Sequence, residues 1–550
     1  MQKKGVEEKA VNPPAAAAVH TSTSPKSKPQ GKGTAKKKGI HAQVKVPRKE
    51  KEDDRPRKAE ETILEQYEFK SNNVPIQITV SNIRDEFVPV YKISISSITP
   101  TTEYVLEKIR QEIIKKVNLG MVEITDQKKT GIIEDRFKET IINLVGKYFP
   151  NTDDATSHFL TSYLIQKSLG MGKVEILMDD PHLEEIAINS ADEPVWVYHR
   201  THGWLKSDIF IKNEEETRHY STMIGRKVGR QITILNPLMD ANMGTGDRVN
   251  ATLMPISNRG NTITLRKFAS KPWTITDLIK SNTISVSASA LVWLAMQYEL
   301  SILIAGGTAS GKTSMLNSMS NLFPPNQRVL SIEDTREVKL PKFLHWIPMV
   351  TRLPNPEGKG EVSMLDLLVN SLRQRPDRII VGEIRRKKEA EVLFEAIHTG
   401  HSVYATVHAN SAKETITRLT NPPIEVPRSM LPAISLIIVQ YRNRRTGKRR
   451  TFQIAEILED GTENVLMQYD TNSDTLKPAN KPKSLLTTIE LYTGMTLAQV
   501  NKELLEKEEV LKWLVAHDIN NVDNVGRVMA EYYTNKDYLM YFVGKNLPLR

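Results

Sequence analysis

The chain has 550 residues, 39% hydrophobic and 26% charged, a composition that excludes a fully disordered or membrane-embedded protein and leaves room for roughly two to four domains. Lys and Arg outnumber Asp and Glu by 76 to 65, yet +9 of the +11 net charge lies in residues 1–60, which disfavours a genome-binding protein with a surface basic throughout. No cysteine is present, which rules out disulfide scaffolds, thiolate metal sites and cysteine nucleophiles.

The first residues, MQKKGVEEKAVN, lack the apolar stretch of a secretory signal, and no run of about 18 uncharged apolar residues occurs. The nearest, Ser287–Ala305, holds Gln297 and Glu299 and runs into a glycine loop, so it reads as helix then strand. A cytoplasmic protein, peripheral at the inner face of the cell membrane, is the expectation. Residues 1–60 are rich in Lys, Pro, Ala and Ser and hold no aromatic residue. They cannot bury enough apolar surface to offset the entropy of ordering, so a disordered basic tail is expected. Densest at Lys36, Lys37 and Lys38, it is either a solvated leader or a contact for anionic lipid, RNA or an acidic partner.

From Thr62 the pattern turns globular. Val74–Ile83 and Tyr91–Ile98 read as strands, and Thr102–Val117, Glu134–Tyr148 and Asp154–Leu169 carry apolar residues at helical spacing. The apolar segment Val174–Met178, the turn Asp179-Asp180-Pro181 and the runs Leu183–Asn189, Val195–Tyr198 and Thr262–Phe268 make a small α+β region. The expected organisation is an N-terminal α+β domain over 61–268, with parts at 61–170 and 171–268. A hinge follows at 269–272, where Pro272 biases Lys271 towards extended backbone. Over 273–465 short apolar runs alternate with helical stretches, which predicts an α/β domain with a mainly parallel sheet. Residues 466–550 form a helical extension, with Leu504, Leu505, Leu511, Leu514 and Val515 marking one helix face.

The chemistry concentrates in that α/β domain. Gly306-Gly307-Thr308-Ala309-Ser310-Gly311-Lys312-Thr313 fits G-x-x-x-x-G-K-[ST] at every fixed position, between a strand at Ser301–Ala305 and a helical run opened by Ser314. Such glycines let backbone N–H groups turn inward around phosphate oxygens, and the helix N-terminus adds positive potential. Lys312 reaches the β- and γ-phosphates and the Thr313 hydroxyl ligates Mg²⁺, so ATP and Mg²⁺ are the expected cofactors. The strands Arg328–Ile332 and Ile379–Val381 end in Glu333-Asp334-Thr335 and Gly382-Glu383-Ile384-Arg385. Ligands gather at the carboxyl ends of such strands. Glu383 and Glu333 are therefore candidates for activating water and, with Thr313, for the metal, in either assignment of roles.

His398, His401 and His408 fall within eleven residues. No cysteine accompanies them and the strand Val403–Thr406 separates His401 from His408, which disfavours zinc and points to a γ-phosphate sensor at His401. The basic hairpin Arg442–Arg450, between Leu436–Tyr441 and Thr451–Leu458, reads as solvated or as a contact for an acidic partner rather than for nucleic acid in so neutral a body, and the six tryptophans are scattered, without a base-stacking pattern.

The glycine loop, IEDTRE (332–337), VGEIR (381–385) and AIHTGHSVYATVHAN (396–410) stand in the order of four signature boxes, Walker A, Asp, Walker B and His. In these the chain resembles the ATPases of type II and type IV secretion, pilus assembly and pilus retraction. DPHLEEI (180–186) resembles a segment of the family's N-terminal domain. VYHR (197–200) through Gly203-Trp204-Leu205, GDRVNATLMP (246–255), TLRKF (264–268) and RLTNPPIEVP (418–427) look archaeal. They are most similar to archaellum motor ATPases, with archaeal adhesion-pilus ATPases the close rival. The resemblance implies a RecA-like P-loop NTPase core and a cytoplasmic homo-hexamer driving filament assembly and rotation. It also implies a polytopic membrane platform protein and cytosolic motor accessory proteins as partners, and arginines from the N-terminal domain reaching the nucleotide; Arg248 and Arg266 lie in the matching blocks, with Arg259 between them. A nucleic-acid translocase on the same core is the alternative of a different class, and a nucleotide-gated scaffold a third reading.

Overall fold

The computed structural model describes residues 61–549 except 72–73, 85, 96–97, 117–129, 170, 269–270 and 355–357. The expected basic tail, the hinge residues Ala269 and Ser270, and parts of two expected elements (residues 96–97 and 117) lie outside the described residues.

The N-terminal sheet has nine strands: β1 (Glu61–Ser71), β2 (Val74–Ile83), β3 (Val90–Ser94), β4 (Leu183–Ile188), β5 (Pro194–His199), β6 (Gly203–Phe210), β7 (Leu238–Asn242), β8 (Arg248–Thr252) and β9 (Thr262–Arg266). Their order is β1-β2-β3-β6-β5-β4-β9-β8-β7, antiparallel except where β3 meets β6. β1, which the hydrophobic pattern passes over, is an edge strand studded with Glu61, Glu65, Glu68 and Lys70, charges that discourage pairing with a foreign strand. The helices α1 (Pro100–Lys116), α2 (Thr130–Tyr148) and α3 (Asp154–Leu169) bury a core of their own around Leu106, Ile109, Ile141 and Leu164. The apolar segment after them is a short helix, α4 (Lys173–Asp179), buried through Val174, Ile176 and Leu177. A fifth helix, α5 (Glu214–Lys227), is capped by Asn213 and joins the sheet's core through Tyr220 and Ile224.

The second sheet holds β10 (Ile302–Gly306), β11 (Arg328–Glu333), β12 (His345–Val350), β13 (Arg378–Val381), β14 (Ser402–Val407), β15 (Leu436–Arg442), β16 (Arg449–Ile457), β17 (Glu463–Asp470) and β18 (Thr475–Pro478). In the order β12-β11-β13-β14-β10-β15-β16-β17-β18, the first six strands are parallel and the last three antiparallel. This is the expected α/β core. Successive residues of a strand enter opposite cores, Ile302 and Ile304 one, Leu303 and Ala305 the other, so β10 is apolar without alternation. One face is covered by α6 (Ile275–Lys280), α7 (Val286–Gln297) and α8 (Lys312–Ser320), the other by α9 (Met364–Ser371), α10 (Lys387–His398) and α11 (Ala412–Thr420). Because the sheet continues to Pro478, a domain boundary drawn at 465 falls inside β17.

The chain ends in α12 (Ser484–Thr493), α13 (Leu497–Ala516), α14 (Val522–Thr534) and α15 (Lys536–Gly544). α13 does not simply follow the sheet; its Val510, Leu511 and Leu514 share a core with Val292 and Trp293 of α7. That second cover explains why α7 is apolar on every side. The expected helix face needs one correction. Leu505 is 62% exposed, since 100° per residue carries it off the face that Leu511 and Leu514 define, and the fully buried position there is Lys507. Lys507 donates from Nζ to the Tyr532 hydroxyl (3.1 Å), sits over the rings of Tyr532 and Trp293 and lies 3.6 Å from Glu503. Burial pulls its ammonium down to about 8.

Two helical glycines should respond oppositely to the same change. A Cβ on Gly526 of α14 would land on the ring of Pro341 and 3.2 Å from Phe343, whereas one on Gly146 of α2 would meet nothing within 4 Å. Overpacking costs about 1–3 kcal/mol, and replacing an open helical glycine gains roughly 0.5–1 kcal/mol. In thermal melts Gly526→Ala should lower the midpoint and Gly146→Ala should raise it.

Candidate nucleotide site

β10 lies between β14 and β15 and ends at Gly306, which faces Gln440. A Cβ on Gly306 would fall 2.6 Å from the Gln440 carbonyl oxygen, so the strand can end this close to its neighbour only as glycine. The chain then turns, with the Ser310 N–H donating to the Gly307 carbonyl (3.3 Å), Ala309 at φ 58° and Gly311 at φ 96° before α8. The first bond of the helix runs from the Met315 N–H to the Gly311 carbonyl (2.9 Å). The N–H groups of Lys312, Thr313 and Ser314, in the turn before it, have no acceptor within the helix. Gly306 to Ser314 thus form the loop and helix start that the motif predicts. Lys312 folds back, its Nζ 3.1 Å from the Gly307 carbonyl and 3.4 Å from His408 Nδ1, and burial lowers its pKa against the pull of Glu383.

From that ammonium a line of polar groups crosses the carboxyl ends of the strands. His408 follows β14, and its Nε2 stands 3.2 Å from Glu383 Oε1. Burial and Lys312 push the imidazole towards neutrality, so Nδ1 accepts from Lys312 while Nε2–H donates to Glu383. The other oxygen of Glu383 accepts from Arg385 (2.7 Å), and Arg385 also donates to Asp334 (2.5 Å). Glu333, at the end of β11, is 2% exposed. Its Oε1 accepts the N–H groups of Glu337 (2.9 Å) and Val338 (3.0 Å), while Oε2 is buried without a partner. Burial outweighs those two bonds and raises its pKa to about 7. A Cβ on Gly382 would sit 3.4 Å from the Glu333 Cα, an ordinary van der Waals contact, so the residue before Glu383 packs beside the end of β11.

The N-terminal sheet reaches this edge. Asn242 of β7 donates to the Asp334 carbonyl (3.0 Å) and accepts from the Thr335 hydroxyl (3.2 Å). Arg266 of β9 lies 3.5 Å from Glu337. Arg248 of β8 makes a two-pronged contact with Asp240 (3.0 and 2.6 Å), which raises its pKa, and also feels the charges of Asp334 and Arg385. Arg259 instead pairs with Glu193 and is 80% exposed, apart from this group.

His401 does not join the cluster. It precedes β14, and its Nδ1 is engaged with the Ala396 carbonyl and the Thr399 hydroxyl, both at 3.1 Å. A six-residue strand, about 20 Å long, lies between it and His408. In a parallel sheet the ligand edge is the carboxyl one, so the histidine beside Lys312 and Glu383 is His408, not the His401 expected from the sequence.

Among the described residues a different group, Glu65, His199 and His202, brings its possible ligand atoms within 4.8 Å. His202 bonds Glu65 at 2.7 Å, while the buried His199 accepts at Nδ1 from the N–H groups of Thr201 (3.2 Å) and His202 (3.4 Å). That tautomer keeps the proton on Nε2, where a metal needs a lone pair, so the trio clasps β1 to the turn after β5.

The residues of the main site fit ATP and Mg²⁺: the N–H groups at the start of α8 and the Lys312 ammonium suit phosphate, and a hydroxyl with two carboxylates (Thr313, Glu333, Glu383) is a hard-oxygen set suited to magnesium.

The family model for "Type II/IV secretion system protein" matches residues 241–468. An uncharacterized protein of Methanocaldococcus jannaschii is 33% identical over 71% of this chain and 70% of its own length. The type IV secretion system protein PtlH of Bordetella pertussis is 29% identical over 49% of this chain and 88% of its own. Among solved structures, the ATPase DotB of Legionella pneumophila is 19% identical, covering 65% of this chain and 94% of that one at a TM-score of 0.39.

The buried Glu333 should be visible in stability. Its folded pKa lies above its unfolded value, so the folded chain holds the extra proton between about pH 4.5 and 7 and stability falls as pH rises through that window. Glu333→Gln removes this dependence. It should melt above wild type at pH 8, by up to about 3 kcal/mol, and converge with it at pH 4.

Proposed function

The chain belongs to the type II/IV secretion system protein family, and on that premise we propose that it is a Mg²⁺-dependent ATPase motor, working as a homo-hexamer to drive archaellum assembly and rotation through a polytopic membrane platform protein. The observation that carries the ATPase reading is the unbroken line Lys312–His408–Glu383–Arg385–Asp334 along the edge that bears the phosphate-binding loop. In this mechanism Lys312 leaves the Gly307 carbonyl for the β- and γ-phosphate oxygens. Glu383, oriented by the Nε2–H of His408 and by Arg385, takes a proton from the attacking water as the γ-phosphoryl passes to that oxygen and ADP departs. Thr313, with Glu333 and Glu383, would hold Mg²⁺, whose charge offsets that of the phosphates. Arg266 contacts Glu337, Asn242 of β7 holds Asp334, and Arg248 feels the charge of Asp334, so phosphate charge there would draw the N-terminal sheet towards the loop.

Three features support the larger assembly. Ile234, Leu235, Leu238 and Ile256 expose apolar surface on and beside the edge strand β7, up to 91% at Leu235, as a face covered by a neighbouring subunit would. Among the described residues no helix is long and apolar enough to cross a membrane, so force would pass to a partner that does. The archaeal-type segments around 197–205, 246–268 and 418–427 favour the archaellum, with cytosolic motor accessory proteins as further partners, and a basic tail suited to anionic lipid fits a place at the inner face of the membrane.

Wild type should hydrolyse ATP with Mg²⁺ and run as a hexamer in light scattering. Lys312→Ala should lose nucleotide binding, and Glu383→Gln should bind ATP yet hydrolyse it at least about 100-fold more slowly, as expected for loss of a positioned base. A wild-type protein that stays monomeric and idle with ATP and Mg²⁺ sinks the motor reading. In an archaeal cell, Lys312→Ala should abolish swimming; loss of adhesion pili with swimming intact would reassign the motor to pilus assembly.

A further inference from the structure

Arg449 belongs to the basic hairpin that the sequence reads as solvated, but sheet register moves it to the nucleotide site. Gly306 pairs with Gln440, Gln440 with Thr451, and Arg442 with Arg449. The first residue of β16 therefore lies just past the end of β10, beside the phosphate-binding loop. There its Nε–H donates to the Ala309 carbonyl (3.1 Å), and its Cδ stands 3.5 Å from where a Cβ on Gly311 would be. Its backbone is held in turn. The Thr451 N–H donates to the Thr283 carbonyl (2.7 Å), and the Thr283 hydroxyl donates to the Arg449 carbonyl (3.3 Å). The neighbouring cations Lys448 and Arg450 are both drawn to Asp474 on the far side.

Ala309 is the residue that needs an anchor. It is the third residue of the turn closed by Ser310 N–H and the Gly307 carbonyl, and at φ 58° it occupies a left-handed conformation that suits glycine and that a Cβ disfavours. Two side chains hold carbonyls of this turn, Lys312 at Gly307 and Arg449 at Ala309. The first of these bonds must break for Lys312 to meet a phosphate. The second is made to a different carbonyl by a different side chain and can persist.

We propose that Arg449 is a positioning residue for nucleotide, holding the Ala309 carbonyl so that the loop keeps its phosphate-cradling form once Lys312 has turned to the ligand. This rests on the reading of the loop as an ATP site. A loop that populates the competent form less often binds more weakly by that fraction, without any change in the chemical step. Losing Arg449 should therefore raise Kd and KM and spare kcat.

The test measures binding of a fluorescent ADP analogue, ATPase KM and kcat, and the melting temperature without nucleotide. Arg449→Ala should weaken ADP binding and raise KM about tenfold or more, the usual worth of a hydrogen bond from a charged donor, with kcat within about twofold. Arg449→Lys should not restore affinity, because lysine has no N–H at the Nε position. Ala309→Gly should recover affinity severalfold in the Arg449→Ala background, since glycine adopts the turn without an anchor, and this holds even if Arg449→Ala melts lower. Arg445→Ala, at the exposed hairpin tip, should match wild type. Wild-type affinity in Arg449→Ala, full rescue by lysine, a fall in kcat at constant KM, or no recovery with Ala309→Gly would each overturn the proposal. A wild-type protein that binds no ADP overturns the ATP-site reading first, before any variant is compared.

Discussion

The parallel register of β10 among β11, β13, β14 and β15 is the constraint from which the site follows. Parallel strands must be joined by crossovers, and here those crossovers carry helices that cover both faces of the sheet. Its inner strands are then buried throughout and chemically silent. Polar chemistry is left to the strand ends, and one direction for all of them brings those ends out together. The phosphate-binding loop after β10, Glu333 at the end of β11, Glu383 after β13 and His408 after β14 are distant in sequence, and one edge collects them. Arg449 joins only because β16 turns back antiparallel beside β15.

Charges at this edge alternate. Lys312, the neutral His408, the carboxylate of Glu383, Arg385 and Asp334 form a sequence in which each group satisfies the next. Glu333 stands outside it, buried with one oxygen unmatched. A site of this kind trades stability for readiness: an unpaired buried carboxylate destabilises the fold, and a cation or a positioned water relieves it. Any ligand that draws Lys312 away from His408 also changes what Glu383 senses, because the imidazole spans the two.

Much of this was legible in the sequence because it is local. The loop needs glycine at fixed spacings, the strands need apolar runs, and the acids needed only to follow them, so Glu333 and Glu383 could be named in advance. What escaped was set by neighbours. His401 and His408 differ in which end of one strand they occupy, and direction is a property of the sheet rather than of the segment. Leu505 leaves the face assigned to it, and Lys507 takes a buried place there because α7 and α14 supply the rings and hydroxyl that a buried lysine needs. The edge strand β1 hides beneath its charges, and Arg449 looks solvated until pairing across two strands brings it to Ala309.

The union of α7 with α13 bears on how the protein is made. Trp293 lies inside the core, its ring tilted against that of Tyr532 and its indole N–H donated to the Tyr533 hydroxyl, more than two hundred residues later in the chain. A ribosome delivers the chain from its N-terminus at about 5–20 residues per second. The loop and every acid of the site thus emerge before the helices that complete the core beneath them. For the roughly ten seconds or more between those points, α7 has one face without its cover. The nascent chain already holds the parts of the nucleotide site while the body that keeps them in place is still unfinished.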